Sequence, residues 1–118
     1  MAGVRALLNG RRRRRERGHV LTAAELGAEL GARATLVQFS SAFCSPCRAT
    51  RTLLRDVTAR IDDVAYVDVD AESHLGLVRR LGIVKTPTVV VLDRSGSVVR
   101  QASGVPRRDQ INAVLAGI

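Results

Sequence analysis

The chain has 118 residues, 46% of them hydrophobic, which suits one domain with a real core and leaves no room for two. Its net charge of +8 comes almost wholly from arginine, with Lys85 the only lysine, and its aromatic side chains are only Phe39, Phe43 and Tyr66. No apolar stretch is long enough to span a bilayer as a helix, and the core has to be assembled from Val, Leu, Ile and Ala.

Residues 1–32 carry seven arginines against Glu16, Glu25 and Glu29, while the rest carries twelve basic against eight acidic residues, so half of the excess sits in the first quarter. Such an excess fits a solvated tail, or contact with acidic partners, anionic lipid or nucleic acid. A short apolar stretch at Val4, Leu7 and Leu8 precedes Arg11, Arg12, Arg13, Arg14 and Arg15. A secretory signal places its charges first, so this segment is not read as one, and the expected compartment is the cytoplasm. Five successive arginines repel one another and bury nothing, which predicts a disordered or loosely helical tail over 1–18 ahead of a domain over 19–118. Contact with an anionic membrane surface through Arg11 to Arg15, on the cytoplasmic face, is a use such a tail could serve. Specific nucleic-acid binding is not expected, because neither aromatic platforms nor a recognition helix accompany the run.

Ordered structure is expected to begin at His19, Val20 and Leu21. Thr22 and Glu25 have capping-box spacing, and a short helix follows through Leu26 and Leu30, ended by Gly31. Thr35 to Phe39 is an apolar, partly β-branched run that reads as a buried strand. Beyond the cysteines, Ala49, Leu53, Val57 and Ile61 recur at helical spacing, to about Arg60. Val64 to Asp70 reads as a strand, and a helix runs from about Ser73 to Leu81, stopped by Gly82. Thr88 to Leu92 is almost unbroken in apolar character, so both of its faces should be covered. A turn at Asp93 to Gly96 sends Ser97 to Ala102 back antiparallel, and a last helix from about Arg107 to Ala116 turns Ile111, Val114 and Leu115 inward. The order is βαβαβαββα, and this alternation argues for a largely parallel sheet covered on both faces and closed by a hairpin at one edge.

Both cysteines fall where a strand pattern gives way to a helix pattern, in Phe43-Cys44-Ser45-Pro46-Cys47-Arg48. If the helix begins near Cys44, that sulfur meets free backbone N–H groups and the positive end of the macrodipole, which favour a thiolate. Cys47 falls one turn further in, where the two sulfurs can close a small ring, and Pro46 suits a first turn whose N–H has no helical partner. Cys44, outermost, is then the attacking sulfur and Cys47 the resolving one. Arg48 can lend positive charge to the thiolate or be an ordinary exposed helix residue. Two other readings stand beside this one. Half of a zinc site would need further ligands, and His19 and His74 show no ligand spacing to the pair. A purely structural disulfide would restrain so short a loop that it stabilises little.

Taken together with Lys85-Thr86-Pro87-Thr88 before the penultimate strand and Gly104 after the hairpin, the cysteine turn resembles that of the thioredoxin family, over roughly residues 20–118. The resemblance implies an α/β thioredoxin fold with a central mixed sheet flanked by helices on both faces, and a thiol–disulfide oxidoreductase that reduces protein disulfides. It implies Cys44 as nucleophile, Cys47 as resolving thiol and Pro87 as a cis-proline beside them. Thr86 would pair its backbone with an extended substrate segment, and Phe43 and Gly104 would border the same groove. Ser45 and Pro46 help set the redox potential. No metal or organic cofactor is implied; the partners are disulfide-containing proteins and a recycling reductase, and the chain is expected to act as a monomer. An alternative is a binding module of the same fold without redox turnover. Thioredoxins proper usually carry tryptophan, glycine, a buried aspartate and a buried lysine where this chain has Phe43, Ser45, Gln38 and Tyr66. Gln38 cannot exchange a proton at neutral pH.

Overall fold

The computed structural model describes residues 19–118. The tail over 1–18, its expected disorder and the lipid contact through residues 11–15 lie outside the described residues. The elements in chain order are α1 (Ala23–Leu26), β1 (Ala34–Ser40), α2 (Ser45–Ala59), β2 (Val64–Asp70), a 3-10 turn (Ala71–Ser73), α3 (Leu75–Arg80), β3 (Thr88–Asp93), β4 (Val98–Ser103) and α4 (Arg108–Ala116). His19 to Leu21 are ordered, as expected, but the strand that opens the expected element order is reduced to one antiparallel bridge, Val20 to Ser97.

Thr22 caps α1 through the expected reciprocal bonds with Glu25, at 3.1 Å in each direction. The helix stops one turn earlier than its spacing predicts, at Gly27 rather than Gly31. Gly27 takes the left-handed conformation at φ 66°, and its N–H returns to the carbonyls of Ala23 and Ala24, closing the helix after a single turn. Gly31 is needed for a different reason: a Cβ there would collide with the Ala34 carbonyl and the Ala65 amide, where the loop crosses the start of the sheet. The helix expected from Ser73 is likewise divided, with His74 at φ −134° and ψ 47° between the 3-10 turn and α3.

Among the described residues the sheet has four strands in the order β2-β1-β3-β4. β1 runs parallel to β2 but antiparallel to β3, and β3 is antiparallel to β4. The sheet is therefore mixed, and the largely parallel arrangement argued from the alternation of elements is corrected. The cause is the length of α3. Six residues of helix advance about 9 Å, whereas a seven-residue strand covers about 23 Å, so α3 does not carry the chain back to the start of the sheet. The chain re-enters at the end where β2 left off, with Thr88 opposite Phe39 while Asp70 lies opposite Ser40.

Alternation along the strands sorts the core into two layers. Val37 and Phe39 of β1, Val67 and Val69 of β2, and Val90 and Leu92 of β3 face Leu26, Leu77 and Leu81 on the side of α1 and α3. Leu36, Val64, Val89 and Val91 face Leu54, Val57, Ile111 and Leu115 of α2 and α4. β1 is buried at all seven positions because helices cover both of its faces and strands both of its edges. No helix of the described residues is long and apolar enough to cross a membrane.

Candidate active site

Thr88 stands opposite Phe39 on one side and Ser103 on the other, so three chain segments meet at one end of the sheet. They are the turn after β1, the loop before β3 and the turn after β4. Two bonds tie them together. The hydroxyls of Ser41 and Thr86 lie 2.7 Å apart, and the Gly104 N–H donates to the Pro87 carbonyl at 2.8 Å. The Thr86–Pro87 peptide is cis, and Gly104 sits at φ 88°, a conformation that glycine adopts without strain. Thr88 Oγ1 donates to the Lys85 carbonyl at 2.6 Å and closes the loop from its other side.

Cys44 is the N-cap of α2, with Ser45 as the first helical residue and Pro46 within the first turn. Its Sγ takes the place of a capping oxygen and accepts the Cys47 N–H at 3.2 Å. The two cysteines form a disulfide with their Cα atoms 5.1 Å apart. Cys44 is partly exposed and Cys47 is 1% exposed, so a partner approaching from solvent meets Cys44. Phe43, just before it, is fully exposed and takes a left-handed φ of 57°, uncommon for a bulky residue. Val84 and Val105 are also exposed, one in the loop before β3 and the other just after Gly104. Arg48 is exposed and donates to Ser45 Oγ at 3.3 Å. His74 Nδ1 lies against the Asp70 carbonyl at 2.9 Å, and no group of three His, Cys, Asp or Glu among the described residues is placed to hold a metal.

Behind the cysteines lies a polar network with few marks in the sequence. Gln38 points to the α2 side of β1 and is fully buried. Its Nε2 donates to the Cys47 carbonyl at 2.8 Å, and its Oε1 accepts the Tyr66 hydroxyl at 2.7 Å. Next to it, Asp68 accepts from Ser40 Oγ at 2.7 Å and from Arg51 Nε at 2.8 Å. Arg55 stands 5.9 Å above the Tyr66 ring. Burial first and the neighbouring Asp68 carboxylate second push the Tyr66 phenol up to about 12, against the pull of Arg51 and Arg55. The Arg51 guanidinium is raised in turn, chiefly by its bond to Asp68. Gln38 and Tyr66 stand out in the sequence only as departures from a family pattern, and nothing there tells that they bond each other. Ser41 is missed altogether, since a serine in a turn carries no signal of a partner 45 residues away.

A helix that starts on a sulfur, at the end of an interior strand of a mixed sheet covered on both faces, with the second sulfur one turn inside, defines a thiol–disulfide oxidoreductase domain. The thioredoxin family profile matches residues 19–117, and the chain belongs to the thioredoxin family. It is 28% identical over 89 residues to a thioredoxin of Alicyclobacillus acidocaldarius, a match covering 75% of this chain and 84% of that one. It is also 28% identical over 88 residues to human thioredoxin domain-containing protein 2, of which the match spans 16%. Among solved structures, thioredoxin-2, described as a component of the malaria parasite protein secretion machinery, superposes with a TM-score of 0.67 at 14% identity, covering 78% of this chain and 89% of that one. A thioredoxin variant from Halobacterium salinarum gives 0.64 at 21% identity, with 72% and 74% covered. At these identities the structural matches speak for the fold.

Proposed function

We propose that the domain reduces disulfides in partner proteins, with Cys44 attacking and Cys47 resolving. The observation that carries this reading is the placement of the Cys44 sulfur at the N-cap of α2, partly open to solvent, while Cys47 lies buried one turn inside. In the reduced state the first-turn N–H groups favour a thiolate at Cys44. That thiolate attacks one sulfur of a partner disulfide and expels the other as a thiolate. Cys47 then attacks Cys44, the second partner sulfur leaves, and the two electrons have passed to the partner. The protein disulfide itself holds the oxidising equivalents, so the exchange calls for no metal or organic cofactor. A recycling reductase returns the pair to the dithiol.

An extended segment of the partner pairs with the backbone at Thr86, as strand addition, with Phe43 and Gly104 on either side and Ser45, Pro46 and Arg48 at the helix start. Support comes from the exposure of Phe43, Val84 and Val105 around the paired cysteines. The setting is the reducing cytoplasm, where such a pair acts as an electron donor. Trapping tests the roles: Cys47→Ser should accumulate mixed disulfides with partner proteins and Cys44→Ser should not. Equal trapping by the two variants removes the assignment. The direction is tested by equilibration against glutathione and dithiothreitol. A reductase has a midpoint potential near that of thioredoxin, about −270 mV, and a value near −120 mV would make the protein an oxidant instead.

A further inference from the structure

We propose that Gln38 is a positioning residue for the resolving step, tying the first turn of α2 to the central strand so that the Cys47 sulfur stays within reach of Cys44, and that Tyr66 holds Gln38 in that orientation. The proposal rests on the roles given above to Cys44 and Cys47. Gln38 is 0% exposed, and both ends of its amide are engaged, one by the carbonyl of Cys47 and the other by the hydroxyl of Tyr66. The Cys47 carbonyl only accepts, so it has to face the NH₂ of the amide, and the oxygen is thereby turned to Tyr66. The chemistry of the three groups fixes the side chain in one of its two orientations.

The first turn of a helix is where backbone N–H groups lack internal partners and where fraying begins, and the Gln38 amide holds that turn from outside the helix, by a bond to its Cys47 carbonyl. Here that turn has to present a buried sulfur to Cys44 during the second half of the reaction. The Cys47 thiol gives up its proton to water and forms a bond to Cys44 Sγ, and the bond from Cys44 to the partner breaks. The departing partner sulfur takes one proton back from water, so that the proton count is unchanged. Gln38 hydrogen-bonds to neither sulfur, only to the Cys47 carbonyl and the Tyr66 hydroxyl. Its amide exchanges no proton at neutral pH and bonds to a backbone carbonyl, so its contribution is to the population of turns that can react. The opposite end of the relay is held by the surroundings of Tyr66, with Arg55 over its ring and the Arg51–Asp68 pair near enough to act on its phenol. The attacking step at Cys44, which lies ahead of this turn and is partly open to solvent, draws on the turn only through the Cys47 N–H. Resolution needs the whole Cys47 side chain brought to Cys44, so attack depends on the relay far less.

The two halves separate in the reaction of the reduced protein with dithiobis(nitrobenzoate). Attack by Cys44 releases one nitrothiobenzoate, and resolution by Cys47 releases a second. Gln38→Met keeps the length of the side chain and removes both bonds; it should leave the first release within about twofold of wild type and slow the second about fivefold, the loss that goes with one hydrogen bond. Tyr66→Phe frees only the outer end and should slow the second release about twofold. A second release at the wild-type rate in both variants overturns the proposal, as does an equal slowing of both releases, which is what general loosening produces. If Gln38→Met does not fold, Tyr66→Phe alone decides, with an unchanged second release counting against it. Failure of the wild-type protein to give any first release strikes the redox reading itself, and this proposal with it.

Discussion

Ser41 and Thr86, 45 residues apart, share a hydroxyl-to-hydroxyl bond of 2.7 Å, and with it the turn that carries the cysteines is fastened to the loop that carries Pro87. Ser41→Ala and Thr86→Val should each cost about 1 kcal/mol of stability. Combined, they should cost less than the sum, by roughly 0.5–1.5 kcal/mol, because only one bond is lost. Urea denaturation of the four proteins measures this. Strict additivity would mean that the two hydroxyls do not hold each other in solution.

Phe43 combines full exposure with a left-handed backbone. Keeping a bulky residue in that region costs about 1–2 kcal/mol, while glycine gives back about 0.5–1 kcal/mol through the freedom of its unfolded chain. Phe43→Gly should therefore be as stable as wild type or more so, by up to about 1.5 kcal/mol. If Phe43 borders the substrate groove, the same variant should raise KM for a protein disulfide several-fold with little change toward a small disulfide reagent. Loss of stability by more than about 1 kcal/mol would show that the side chain is held by contacts in solution.

Tyr66 supplies a pH signature. Its phenol is pushed up to about 12, by burial first and by Asp68 second, from an ordinary value of 10.0. Between these two values the unfolded chain has lost the phenolic proton and the folded chain still holds it, so stability falls as pH rises across the window. Below pH 10 the two states carry the same proton and the contribution is complete. Melting temperatures taken from pH 9 to 12 should drop more steeply for wild type than for Tyr66→Phe. Parallel curves, or phenolate absorbance that develops fully by pH 10.5 in the folded protein, would contradict the burial of this hydroxyl.

Two glycines with similar backbone angles should answer substitution differently. Gly104 at φ 88° has open space where a Cβ would stand, so Gly104→Ala bears the conformational strain alone, about 1–2 kcal/mol. Gly96 at φ 86° turns the same missing atom against the Leu21 carbonyl, so Gly96→Ala adds a backbone collision to that strain and should be the worse of the two by at least about 1 kcal/mol. Thermal melts of the pair rank them directly.

Much of this architecture is local in origin, which is why it could be read along the chain. Thr22 and Glu25 are three residues apart and cap a helix within their own turn. Cys44, Pro46 and Cys47 act within one helical turn, so their placement at the start of α2 follows from spacing. The buried run at Thr88 to Leu92 shows in its composition. Errors arose where one local signal competed with another. Gly27 and Gly31 both suit a helix end, and only the close approach of Ala34 and Ala65 at the second shows which of them caps and which clears a path.

By itself, then, the sequence determined most of the elements, the chemistry of the paired cysteines and which sulfur stands outermost, because each depends on neighbours within a few residues. Only the tertiary structure decided that β3 enters antiparallel from a helix too short to bring it round, that Ser41 meets Thr86, and that Gln38 and Tyr66 close on the carbonyl of Cys47. These depend on strand order and register, which set residues from distant parts of the chain side by side, and no periodicity along a single strand or helix records which strand lies next to it.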